Sequence, residues 1–102
     1  MLVQFHCIDN VPSQQDKRLE NLGAHLAWVE VNMAQICVAG PLKQGEQIVG
    51  SLYILDAPSV QQAKTLLFSD PYYLADIWAS ISIQTFNAYA GNWVGGKNWP
   101  TQ

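Results

Sequence analysis

The sequence predicts an α+β fold whose elements run β, α, β, β, α, β, and three observations predict it. Two stretches near the ends, LVQFHCI (2–8) and ASISIQTFNA (79–88), alternate apolar and polar residues at the period of a strand. Leu19, Leu22, Leu26, Val29 and Met33 recur instead every three or four residues, the period of a helix. After that helix, GPLKQGEQ supplies the Gly and Pro that reverse the chain between two β-type runs, ICVAG (36–40) and IVGSLYILD (48–56). With 102 residues, 49 % hydrophobic and 13 % charged, the chain has the size and apolar content of one domain with a real core.

Taken in order, the first strand places Val3, Phe5 and Cys7 on one side and Gln4 and His6 on the other. DNVPS ends it, and Ser13 with Asp16 three residues later resembles a capping box, so the first helix is expected to begin near Ser13. The Leu/Val/Met stripe is expected to be that helix's core face. Gly23 within it costs about 1 kcal/mol relative to Ala; either packing overrides it or another segment approaches the backbone there. The two middle runs read as a hairpin with a loop too long for a two-residue turn. APSVQQAKTLLF (57–68) reads as the second helix, with Pro58 in its first turn. The last strand then completes the ferredoxin-like split βαβ arrangement, one antiparallel sheet with both helices on one face.

Residues 1–88 are thus expected to form the domain, and 89–102, YAGNWVGGKNWPTQ, a tail that is neither helix nor regular strand. Trp93 and Trp99 are costly to leave in water, so the tail reads as an arm over a sheet edge or a partner subunit, or else as a lid over a pocket. The sheet face away from the helices carries too many apolar residues to stay wet. A homodimer with the two sheets facing each other is the expected remedy, the dimeric α/β-barrel type of assembly.

Several function classes drop out. Five Lys and Arg and a net charge of −3 offer no basic stripe, so no nucleic-acid partner is expected. No secretion signal and no window long and apolar enough for a membrane span is read, which points to a cytoplasmic protein. Cys7 and Cys37 lie in apolar β-type runs without a CxxC and read as reduced core cysteines. The two histidines and two cysteines lack metal-site spacing, and no P-loop, GxGxxG or GxSxG occurs, so neither metal nor cofactor is expected.

What remains is a short inventory. His25 falls at the margin of the helical stripe beside Trp28, where a histidine is either a hydrogen-bonded boundary residue or a working base. In FSDPYY (68–73), Asp70 before Pro71 reads as a helix N-cap with Pro at the first helical position. Tyr72 and Tyr73 read as core or pocket wall.

KRLENLGAHLAWV (17–29), VAGPL (38–42) and FSDPYY, in this order and at these separations, resemble the YCII-related (YciI-like) family over about residues 1–88. The resemblance implies a ferredoxin-like dimer in which His25 and Asp70 match the positions of a candidate catalytic His–Asp pair. It implies that Gly40 and Pro41 shape the pocket rim. Many relatives place an Arg three residues before the histidine, where this chain has Leu22; Arg18, a turn earlier, is the substitute considered. An Arg there would clamp an anionic substrate.

Two readings of function follow. One is a cofactor-independent lyase or isomerase acting on a small, aromatic molecule, with His25 as base, Asp70 orienting it, and Trp28, Tyr72 and Tyr73 as neighbours of the substrate. The alternative is a dimeric binding or accessory module that holds a small molecule without turning it over.

Overall fold

In the computed structural model, which describes residues 1–100, the period-two alternation forms β1 (Leu2–Asp9), and its Val3, Phe5 and Cys7 are completely buried. β1 lies inside a four-stranded antiparallel sheet of order β2-β3-β1-β4, with β2 (Ile36–Gln44), β3 (Gln47–Asp56) and β4 (Trp78–Phe86). Phe5 stands opposite Tyr53 on one side and Ile83 on the other. On the Val3–Phe5–Cys7 face the core is closed by Trp28 of α1 (Gln15–Val31), Ala63 and Leu67 of α2 (Val60–Leu67) and Tyr72 of the one-turn α3 (Pro71–Leu74). This is the ferredoxin-like βαββαβ fold, the half from which dimeric α/β barrels are built.

The α1 stripe is the main departure. Leu19 is 61 % exposed and Leu26 51 %, and Leu22 and Met33 are exposed too, while the buried residues of the helix are Arg18 and Trp28. Asn21, His25, Val29 and Asn32 are half-buried on the same side. The inward face is polar because each of its groups finds a partner: Arg18 meets Asp9, His25 meets Asp70 and Trp28 meets Ser69. A hydrogen-bonded polar group can be buried, and apolar residues need not be.

Smaller corrections have local causes. The N-cap of α1 is Gln14, not Ser13; the Ser13 hydroxyl accepts from the Gln15 N–H at 3.3 Å, so the capping box does not form. α2 starts after Ser59, whose hydroxyl accepts from the Gln62 N–H, so Pro58 precedes the helix. The β2–β3 connection is a tight turn, with Gln44 opposite Gln47 and Gly45 at φ 59°. Pro41 does not end β2, because β2 is an edge strand and tolerates a missing N–H.

Two glycines separate by function. A Cβ on Gly23 would meet nothing within 4 Å, so no segment approaches it; a Cβ on Gly50 would lie 2.3 Å from the Cys7 carbonyl oxygen. Cys7 is buried, but Cys37 is exposed and does not belong to the core; both are free thiols.

Beyond β4 the chain makes a small two-stranded ribbon, β5 (Ala90–Gly91) and β6 (Gly96–Lys97), around a 3-10 turn at Asn92–Val94. Regular pairing was not expected there; the left-handed Gly95 and Gly96 permit it. Trp93 is 84 % exposed. With Leu52, Ile54 and Phe86 it borders a cavity of about 630 Å³ on the sheet face away from the helices. The last two tail residues, 101 and 102, lie outside the described part.

Candidate active site

The site begins where α2 ends. Asp70 caps α3, with Pro71 at the first helical position, and its Oδ1 accepts from the Tyr72 N–H at 2.9 Å. A capping carboxylate has lone pairs to spare. Here Oδ1 also lies 2.8 Å from His25 Nδ1, and Oδ2 accepts from the Tyr53 hydroxyl at 2.7 Å. Asp70 is wholly buried, and three donors compensate the burial of its charge.

The neighbouring Ser69 fixes α1 a second time. Trp28 Nε1 donates to Ser69 Oγ at 2.8 Å, and Ser69 Oγ donates to the Leu66 carbonyl at 2.6 Å. Two residues one turn apart on α1, His25 and Trp28, are thereby held by two consecutive residues of the α2–α3 corner. The His25 ring also stacks on Tyr72, with centroids 3.8 Å apart and planes 4° from parallel. A ring held by one hydrogen bond and one stacking contact has little freedom left.

Arg18, two turns before His25, makes a bidentate pair with Asp9; its Nη2 lies 2.9 Å from Oδ1 and also donates to Ser51 Oγ at 3.1 Å and the Gly50 carbonyl at 3.3 Å. The guanidinium is 5.8 Å from the Tyr72 ring centre. Burial, with the Asp70 charge and hydrogen bond second, pushes the Tyr53 hydroxyl far above the usual tyrosine range, so Tyr53 stays a proton donor. Burial also raises Tyr72, against the lowering effect of Arg18. Cys7, behind the site, is pushed up to about 12, first by burial and then by Asp70 and Asp9.

Of these groups Arg18, His25, Ser51, Tyr53 and Tyr72 face a cavity of about 380 Å³ between α1 and the β2–β3 edge. His25, Arg18, Tyr72, Gly40 and Pro41 line it, as do Leu22 and Leu26 from the exposed stripe. Trp28 sits behind His25, its ring centre 6.2 Å away, and Pro71 shapes the corner. Trp28, Pro71 and Tyr73 do not line the cavity; Tyr73 stacks on Phe68 at 4.3 Å and borders a different cavity with Trp78. Tyr53, Asp9 and Ser51 were not anticipated. The available signal was Tyr53 between Ser51 and Leu55 on the inward face of a strand, since a buried phenol needs a partner.

Among the described residues no cluster of three or more His, Cys, Asp or Glu is placed to hold a metal, and no helix is long and apolar enough to cross a membrane. No curated protein matches the chain. Among solved structures, 5-chloro-2-hydroxyhydroquinone dehydrochlorinase from Burkholderia phenoliruptrix AC1100, in complex with 2,5-dihydroxybenzoquinone, is similar at a TM-score of 0.75 and 26 % identity. The match covers 90 % of this chain and 97 % of that one. That protein is a dehydrochlorinase, and the compound in its complex is a small hydroxylated ring. The model of the YCII-related domain matches residues 1–87, and the chain belongs to that family.

Proposed function

We propose that the protein is a cofactor-independent lyase or isomerase for a small aromatic or quinonoid molecule, with His25 as general base and Asp70 orienting it. The observation that carries this reading is the 2.8 Å contact between His25 Nδ1 and a wholly buried Asp70 carboxylate at the wall of a cavity. Asp70 favours the proton on Nδ1 and leaves Nε2 basic toward a bound molecule. Nε2 takes a proton from a ring hydroxyl or from carbon next to a carbonyl. The electron pair left behind expels a leaving group in an elimination, or shifts to a neighbouring carbon that regains the proton in an isomerisation. The imidazolium formed is stabilised by Asp70 and returns its proton at the end.

The test is a turnover screen with halogenated and hydroxylated benzenes and quinones, repeated with His25→Ala. Loss of about 10²–10⁴-fold supports the assignment; unchanged turnover removes His25 from the mechanism. Ring ¹⁵N shifts of His25 give an independent readout: one Nδ1–H tautomer in the wild type, and a tautomer mixture in Asp70→Asn. A binding module without turnover is favoured by one observation, that Arg18 is already paired with Asp9 and Leu22 offers no clamp.

The same reading assigns residues 1–88 to one domain and 89–102 to an arm, and it makes the protein a cytoplasmic homodimer. Support comes from the sheet face away from the helices, where Leu52, Ile54 and Phe86 border the cavity beside exposed Trp93. Sedimentation of the wild type and of Leu52→Glu tests this: a dimer that Leu52→Glu dissociates supports it, and a wild-type monomer refutes it.

A further inference from the structure

We propose that the cavity beside His25 selects uncharged ring compounds and rejects the same ring bearing a carboxylate or a cation, the Asp9–Arg18 pair setting this preference. The inference rests on the reading that the cavity receives a small molecule, and it concerns what charge that molecule has.

The charges around the cavity are already committed to one another. Arg18 is the permanent cation on the cavity wall, His25 being charged only when protonated and then held by Asp70, and the side chains of Arg18 and Asp9 are 6 % and 7 % exposed. The Arg18 guanidinium is engaged by both Asp9 oxygens, Ser51 Oγ and the Gly50 carbonyl. A bidentate carboxylate cancels the charge and occupies the fork that would grip a substrate anion. Asp70 is equally committed: fully buried, it already receives Tyr53, the Tyr72 N–H and His25, so it offers a ligand cation nothing.

The remaining wall is apolar, with Leu22, Leu26 and Val29 from α1 facing Ala39, Pro41 and Ile48 from the sheet edge. An ion entering this space sheds water and meets no opposite charge free to replace it. A neutral ring sheds little, gains apolar contact, and can donate one hydroxyl proton to His25 Nε2.

The experiment uses three probes of one shape, 4-hydroxybenzamide, 4-hydroxybenzoate and 4-hydroxybenzamidine, titrated into the full-length protein at neutral pH and followed by amide NMR shifts. The expected result is that 4-hydroxybenzamide moves the amides of Leu22, His25 and Gly40 and binds at least about tenfold tighter than either ion. Asp9→Asn, which frees Arg18, should improve 4-hydroxybenzoate by about tenfold and leave the amide unchanged. Leu22→Lys places a cation on a partly exposed wall position and should produce a similar gain without disturbing a buried pair. It keeps the proposal testable if Asp9→Asn does not fold.

Wild-type binding of 4-hydroxybenzoate as tight as that of the amide, or absence of binding by all three probes, overturns the proposal. Because affinity is read without turnover, the two readings fail separately. Turnover that survives His25→Ala refutes the catalytic assignment and leaves the charge preference intact; reversed affinities refute the preference and leave the catalytic assignment intact.

Discussion

Leu52 and Tyr53 are neighbours on β3 and point to opposite sides of the sheet, and the two sides follow different rules. On the covered side Tyr53 is 2 % exposed and is tied to Asp70, with Phe5, Leu55 and Cys7 packed around it. The charged side chains of Asp9, Arg18 and Asp70, each nearly or wholly buried, lie on this side, each with a partner. On the other side β1 and β4 present Gln4, His6, Ser82 and Gln84, with Leu52 and Ile54 beside them on β3. Burying charge demands particular partners at fixed distances, whereas covering a neutral face demands only area. The covered side is thus suited to chemistry and the open side to association.

The widest separation of the two sides comes from truncating one residue on each. Phe5→Ala removes a completely buried ring next to Tyr53 and should cost about 3–5 kcal/mol in urea unfolding. Leu52→Ala should cost under about 1 kcal/mol in dilute protein, where any association is lost. Equal costs would mean that the open face belongs to the folding core.

Tyr53→Phe tests the polar part of the covered side without changing its shape. It deletes the one hydroxyl on Asp70 Oδ2, and a hydrogen bond to a buried carboxylate is worth about 1.5–3 kcal/mol. A loss of about 2 kcal/mol is expected, together with weakened turnover through the disturbed carboxylate. A neutral effect would show that water replaces the phenol.

Alkaline pH probes the same side through its acids. The folded Cys7 thiol is raised from 9.0 to about 12, and Tyr53 is raised above 10.0. Below pH 9 both folded and unfolded chains keep these protons and stability does not respond. Above about 9 for Cys7 and about 10 for Tyr53 the unfolded chain releases protons that the folded chain retains, so stability falls as pH rises, by about 1.4 kcal/mol per unit for each group. Cys7→Ala should remove one proton's slope between pH 9 and 12, measured as urea midpoint against pH.

How much of this was legible in the sequence depends on the range of the interaction. The four strands of the main sheet and their order were, because alternation is local, whereas the β5–β6 ribbon was not. The Asp70–Pro71 cap was too, since capping is settled within a few residues. That Asp70 meets His25 came from the family resemblance and not from periodicity, as the two lie 45 positions apart. Tyr53 went unread because its partner Asp70 lies 17 positions away, and the Asp9–Arg18 pair because it joins the end of a strand to the next helix across a loop that no local period describes. The leucine stripe misled because hydropathy reports what a side chain is, whereas its place in α1 was decided by the partners that Asp9, Ser69 and Asp70 offered to its polar neighbours.

The smallest expected effect returns to α1, on the outer side that the covered face leaves free. Gly23 is exposed, lies inside a regular helix, and has no atom within 4 Å of where a Cβ would stand. Nothing in the packing requires glycine there, unlike Gly50, whose missing Cβ makes room for the Cys7 carbonyl. Gly23→Ala should stabilise the fold by about 1 kcal/mol, chiefly by restricting the unfolded chain. In a domain of this size that corresponds to a rise of roughly 4–8 °C in Tm. His25 follows two residues later, so the variant also asks how much the site depends on helix fraying. Stabilisation with unchanged binding of 4-hydroxybenzamide would show that the corner at Ser69 and Asp70 already fixes the histidine. Tighter binding would show that α1 opens locally in the wild type, and that the glycine sets how often.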